Sequence, residues 1–245
     1  MRLCLLAAVF LPRTRAMSTA ALKPVVIFVH GSGDNGPGAE GWVSSLAGPK
    51  AMQNFRWIFP SATPIPYTLQ RGATSSVWFD RKGGFDPEYP EQTASVERSV
   101  DRLVTMIDEQ VARGVEPAQI AIGGFSMGGA MAYQVAARWH ASAERAPLGG
   151  VFVLSSYLQE DSAAYGIVSA SDSAARWPKT FVAHGGDDDF IKTAWGAATF
   201  ERMKTLGVDA SFAVVPRCQH DMKAGEIASL LEYLQTSLQP SETCQ

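Results

Sequence analysis

Residues 123–129, Gly123-Gly124-Phe125-Ser126-Met127-Gly128-Gly129, constrain this chain more than any other stretch. An apolar run, Gln119 to Ile122, precedes them, and a helix-forming run, Ala130 to Ala137, follows. A strand that turns into a helix within a few residues leaves little room for flanking side chains, which accounts for glycine at 124 and 128. The apex residue is forced into a strained conformation. Its hydroxyl then stands above the sheet edge at a helix N-terminus, where negative charge is favoured. Gly-x-Ser-x-Gly between a strand and a helix is the pattern of a nucleophile elbow. Outside that context the same residues would describe an ordinary turn.

The rest of the chain supplies the context. Pro24 to Val29 is a continuous apolar, β-branched run, as expected of a strand buried on both faces of a parallel sheet. Similar runs occur at Phe55–Pro60, Gly150–Ser156, Lys179–His184 and Ala210–Val215. Between them lie helical patterns over 42–52, 91–113, 192–206 and 223–237. In the second, Val96, Val100, Leu103, Val104, Ile107 and Val111 share a face, and Gly114 supplies the stop. Alternating strands and helices predict a mostly parallel sheet with helices on both faces. Residues 60–90 lack periodicity but are aromatic, which predicts an ordered functional loop, whereas 157–178 reads as a surface excursion.

No stretch inside the 245 residues resembles a linker, so the expectation is one domain burying about 70–75% of its unfolded surface. A net charge of −3 provides no basic footprint for nucleic acid. Cys4, Cys218 and Cys244 are scattered, without metal-ligand spacing, and fit a reducing compartment.

In an open parallel sheet, sites form at the C-terminal ends of the strands. Here those ends carry His30-Gly31-Ser32, Ser126, Asp187 to Asp189 and His220. The order Ser, Asp, His is that of an α/β-hydrolase. A serine hydroxyl needs a base to become a nucleophile at neutral pH, and histidine can take that proton and return it to a leaving group. A carboxylate fixes the imidazole tautomer. Of the four histidines, His140 reads as a solvated or capping residue, His30 and His184 as structural, and His220 as the base. Three adjacent carboxylates cannot all turn inward, and spacing does not choose among Asp187, Asp188 and Asp189. The oxyanion of the reaction needs backbone donors, expected at Met127 and Ser32. This chemistry requires neither cofactor nor metal, and none is expected.

With these residues in view, the chain resembles the acyl-protein thioesterase and lysophospholipase family over roughly residues 24–237. The carrying motifs are His30-Gly31-Ser32-Gly33-Asp34-Asn35-Gly36, Val77-Trp78-Phe79-Asp80-Arg81, the Ser126 heptapeptide, His184-Gly185-Gly186-Asp187-Asp188 and the terminal His220. The resemblance implies Asp188 as the carboxylate, Ser126 and His220 as its partners, and Ser32 and Met127 as oxyanion donors. Met127 and Ser32 depart from the family's thioesterases, which carry Gln and Leu there, and match its lysophospholipase-like branch. That branch implies a shallower acyl pocket and hydrolysis of short acyl esters over long-chain depalmitoylation, while acyl esters and thioesters, S-acylated proteins and lysophospholipids included, all need the same chemistry. Trp78 is expected at the pocket rim, with core packing the alternative.

The domain is expected over residues 23–238, with 1–22 outside it and 239–245 a tail. The apolar run Leu3–Leu11 is too short to span a bilayer. Arg2 gives it the outline of a signal peptide, but Arg13 and Arg15 occupy the cleavage region. The absence of Asp and Glu before Asp34 fits an organellar transit peptide, and Met17 is a third option as the working start. The expected location is cytoplasmic, with mitochondria or another organelle the alternative if residues 1–22 direct targeting. No stable membrane insertion is expected.

Overall fold

The β-branched runs pair with one another because each is apolar on both faces and needs cover above and below. In a computed structural model of the chain, describing residues 22–170 and 172–238, the elements begin with β1 (Val25–Val29), α1 (Gly36–Ala47), α2 (Pro49–Met52) and β2 (Arg56–Ile58). A short pair, β3 (Ile65–Pro66) and β4 (Thr74–Ser75), precedes α3 (Thr93–Ala112). Then come β5 (Ile120–Phe125), α4 (Met127–Ala141), β6 (Gly150–Leu154), α5 (Ala163–Ala170) and α6 (Ser173–Arg176). The last four are β7 (Thr180–Gly185), α7 (Thr193–Thr205), β8 (Ala210–Val215) and α8 (Ala224–Ser237). Of the residues expected outside the domain, 1–22 and 239–245, all but Leu22 lie outside the described ones, and Leu22 is exposed.

Six strands form one sheet in the order β2-β1-β5-β6-β7-β8, and every pairing is parallel. The sheet is thus wholly parallel among the described residues. Apolar clusters cover both faces. One contains Val25, Ile27, Leu103, Ile107, Met131 and Val151, and the other Val26, Phe28, Phe152, Ile227 and Leu230. Alternation along β1 sends odd and even residues to opposite clusters. The central β1, β5 and β6 are buried along their length, whereas edge strand β8 alternates between half-buried and exposed residues.

Three details differ from the sequence pattern. The first helix starts at Gly36 rather than 42, because Asn35 accepts the Gly38 amide at 2.9 Å and caps it. Residues 157–178 are not a surface excursion. Tyr157, Leu158, Tyr165, Val168 and Trp177 are buried there, and α5 packs on α4. Val111, at the end of α3, extends past the core and is 37% exposed. The expected functional loop over 60–90 is ordered, with Tyr67, Trp78, Phe79 and Arg81 buried.

Candidate active site

Ser126 occupies the bend between β5 and α4 at φ 55° and ψ −121°, a left-handed conformation that costs a non-glycine residue about 1–3 kcal/mol. The neighbouring glycines make the bend possible. A Cβ on Gly128 would lie 1.9 Å from the Val29 carbonyl oxygen, and one on Gly124 would lie 2.2 Å from it. The Ser126 amide donates to the Leu154 carbonyl at 2.8 Å, which ties the bend to β6. Its side chain remains half-buried at the mouth of a cleft.

His220, on the loop between β8 and α8, places Nε2 3.0 Å from the Ser126 Oγ. Its Nδ1 lies 2.7 Å from Oδ2 of Asp188. Asp188 is buried, while Asp187 and Asp189 on either side are exposed. The other oxygen, Oδ1, accepts the amides of Phe190 at 3.1 Å and Ile191 at 2.8 Å, so both carboxylate oxygens are engaged. The loop thus turns one of the three carboxylates inward. The imidazole is flanked by the rings of Phe125 and Phe190, at centroid distances of 4.7 and 5.2 Å.

A second histidine, His184, comes within 3.5 Å of Asp188 Oδ2 but donates its Nε2–H to the Ile191 carbonyl at 2.8 Å. Burial holds its pKa below the ordinary histidine range. It therefore stays neutral and leaves the carboxylate charge to His220. His30 is also held low by burial; its Nδ1–H donates to the Gly31 carbonyl and its Nε2 accepts the Ala62 amide at 2.9 Å. His140 is structural, though buried rather than solvated. It bridges Ala136 and Leu148, and burial lowers its pKa to about 4.

Ser32 and Met127 both line the cleft beside Ser126. Among the described residues neither backbone amide donates to a protein acceptor. Trp78 does not reach the cleft. It is 2% exposed, donates its indole N–H to the His30 carbonyl at 2.9 Å, and its amide donates to the Met127 sulfur at 3.3 Å. The core-packing alternative is the one observed, because the indole N–H finds a buried acceptor in the His30 carbonyl and the ring does not line the cleft. Trp78 braces the segments that carry Ser32 and Met127.

The cleft encloses about 370 Å³ and is also lined by Trp42, Tyr67, Leu69, Arg81, Phe85 and Tyr157. These residues come from four separate segments, and no periodicity marks them. The sequence signals for them are the aromatic content of residues 60–90 and the place of Arg81 in the Val77–Arg81 motif. Among the described residues no helix is long and apolar enough to cross a membrane, and no group of metal-ligating side chains gathers.

Residues 16–238 match the phospholipase/carboxylesterase family. The chain belongs to that family. It is 35% identical to lysophospholipase-like protein 1 of Mus musculus over 237 residues, covering 96% of this chain and 95% of that one. It is 32% identical to acyl-protein thioesterase 1 of Aspergillus fumigatus over 231 residues, 90% of each chain. Its fold is similar to the crystal structure of Arabidopsis thaliana SOBER1, with a TM-score of 0.77 and 26% identity over 89% of this chain and 100% of that one. The family's fold is the α/β-hydrolase architecture read from the sequence.

Proposed function

We propose that the protein is a serine hydrolase that cleaves acyl esters or thioesters through an acyl-Ser126 intermediate. The observation that carries this reading is the continuous relay from Asp188 through His220 to Ser126, with bonds of 2.7 and 3.0 Å, at the mouth of the cleft. Donating Nδ1–H to Asp188 leaves Nε2 free to accept the Ser126 proton as Oγ attacks the acyl carbon. The amides of Ser32 and Met127 receive the developing oxyanion, supported by the N-terminus of α4. The proton on Nε2 then passes to the departing alcohol or thiol. Water, deprotonated by His220, repeats the sequence in reverse roles, freeing the acid and restoring Ser126.

The cleft of about 370 Å³ lies within the range of small-molecule sites, and the preference for short acyl chains rests on the branch of the family that carries Met127 and Ser32. The names of two relatives, acyl-protein thioesterase 1 and lysophospholipase-like protein 1, support S-acylated proteins and lysophospholipids as candidate substrates for the same chemistry. The unpaired, buried Cys218 thiol suits a reducing, cytoplasmic setting. A fluorophosphonate probe is expected to label the wild-type protein but not Ser126→Ala, whose kcat should fall on the order of 10⁶-fold by the serine-protease precedent. Unlabelled wild-type protein beside a labelled control hydrolase would refute the reading. A p-nitrophenyl ester series is expected to peak at short chains, and a maximum at long chains would overturn that preference.

A further inference from the structure

Arg81 is 5% exposed, yet among the described residues no carboxylate forms an ion pair with it. Buried guanidinium groups are ordinarily paired, because stripping water from a charge without a counter-charge is costly. Its charge is held against aromatic faces instead, with the guanidinium carbon 4.9 Å from the Phe79 ring centroid, 5.1 Å from Tyr157 and 5.8 Å from Phe85. One nitrogen, Nη1, donates to the Tyr157 hydroxyl at 2.8 Å, and that hydroxyl donates to the Phe85 carbonyl. Nε is buried with no acceptor among the described residues.

The nearest acidic side chain in sequence is otherwise engaged. Asp80 accepts the Thr68 amide and hydroxyl at 2.8 and 2.6 Å and the Arg81 amide at 2.9 Å. A second unsatisfied group lines the same cleft. The Tyr67 hydroxyl, on a residue only 2% exposed, lies by the Ser32 side chain but makes no well-formed hydrogen bond among the described residues. Two buried donors without a well-formed acceptor, both lining the cleft that holds Ser126 and His220, call for an explanation. An acceptor arriving with the substrate provides one.

We propose that Arg81 and Tyr67 form an anion-binding subsite that selects substrates carrying a carboxylate. One cation and one hydroxyl match a single negative charge. Among the described residues Arg81 is the only Lys or Arg lining the cleft, so the subsite offers one such cation, too few to match a doubly charged phosphate. Charge-assisted bonds in a cleft walled by aromatic rings are stronger than the same bonds in water. The inference rests on the serine-hydrolase reading, since it concerns which esters or thioesters that site accepts. The carboxylate has two possible positions, on the acyl chain or on the leaving group.

The test compares kcat/KM for two matched pairs, each corrected for uncatalysed hydrolysis. On the acyl side the pair is 4-nitrophenyl hemiglutarate against 4-nitrophenyl valerate. On the leaving-group side it is the butyryl ester of 4-hydroxybenzoate against that of 4-hydroxybenzamide. In one pair the wild-type enzyme is expected to favour the charged member by roughly tenfold to a hundredfold. The favoured pair identifies where the carboxylate sits. Arg81→Met should bring that ratio close to one, Tyr67→Phe should lower it partway, and Arg81→Lys should retain part of it.

Wild-type ratios at or below one in both pairs would overturn the proposal. So would a preference that survives both Arg81→Met and Tyr67→Phe. If Arg81→Met does not fold, the wild-type ratios and the Tyr67→Phe variant still decide. Hydrolysis of the valerate ester and fluorophosphonate labelling report separately on the serine-hydrolase reading.

Discussion

Replacing Asp188 by asparagine changes only one atom type in the loop after β7, yet it should almost abolish turnover. In the native protein Oδ1 accepts the Phe190 and Ile191 amides, and Oδ2 accepts Nδ1–H of His220 at 2.7 Å. Asparagine can keep its carbonyl oxygen on the two amides, so the loop has no reason to move. Its NH₂ then faces His220 Nδ1 and forces that nitrogen to accept. The imidazole proton moves to Nε2, which points at the Ser126 Oγ and can no longer take its proton. Loss of the correct tautomer and of the charge that steadies the imidazolium costs about 10⁴ in kcat in the serine-protease precedent, or about 5.5 kcal/mol. The assay is steady-state hydrolysis of p-nitrophenyl butyrate, with circular dichroism as a folding check. Asp187→Asn and Asp189→Asn provide internal controls, because both side chains are exposed and neither contacts His220. They should stay within a few-fold of wild type. A folded Asp188→Asn protein retaining a tenth or more of wild-type kcat, or comparable losses at 187 or 189, would refute the reasoning.

Other expectations are independent of that one. Trp78→Phe removes the indole donor to the His30 carbonyl while keeping most of the core packing, so kcat should fall roughly tenfold with little change in KM. A dominant rise in KM would instead put Trp78 at the substrate. Gly128→Ala forces a Cβ to within 1.9 Å of the Val29 carbonyl oxygen and should cost on the order of 3 kcal/mol in urea melts. Gly41→Ala, in open space on α1, should stabilise by about 0.5–1 kcal/mol, and equal effects at the two sites would contradict the packing argument. Glu226 is buried with Oε1 unpartnered among the described residues, and burial raises its pKa from 4.5 to about 7. The fold therefore favours the protonated form. That contribution is fully present below about pH 4.5 and is lost as pH rises toward 7. Glu226→Gln cannot ionise, so its melting temperature should gain on wild type by on the order of 5–10 °C between pH 5 and pH 8. A gap that stays flat with pH would show that the carboxyl is hydrated in the native protein.

Local physics was enough to locate the six strands of the parallel sheet, though not the short β3–β4 pair, and with them the elbow and the order of the polar strand ends. Two-sided apolar runs satisfy themselves in a parallel sheet covered on both faces, and Gly124 and Gly128 answer to a steric requirement in which the Val29 carbonyl oxygen is the nearest obstacle to both. Periodicity failed where burial depends on packing rather than repeat. The small, weakly patterned residues of 157–178 form short helices against α4, and the aperiodic stretch from Tyr67 to Arg81 becomes part of the cleft wall.

Residue types and their order along the chain determined the fold, the serine at the bend and the pairing of an imidazole with one of three carboxylates. Which carboxylate turns inward, where Trp78 points, and that Arg81 is buried without a counter-ion were decided only in three dimensions. The physical reason is that these outcomes depend on contacts between segments far apart in the chain. His220 and Asp188 are 32 residues apart, and Arg81 and Tyr157 are 76 apart. Side-chain direction and desolvation are set by whichever neighbour the fold delivers.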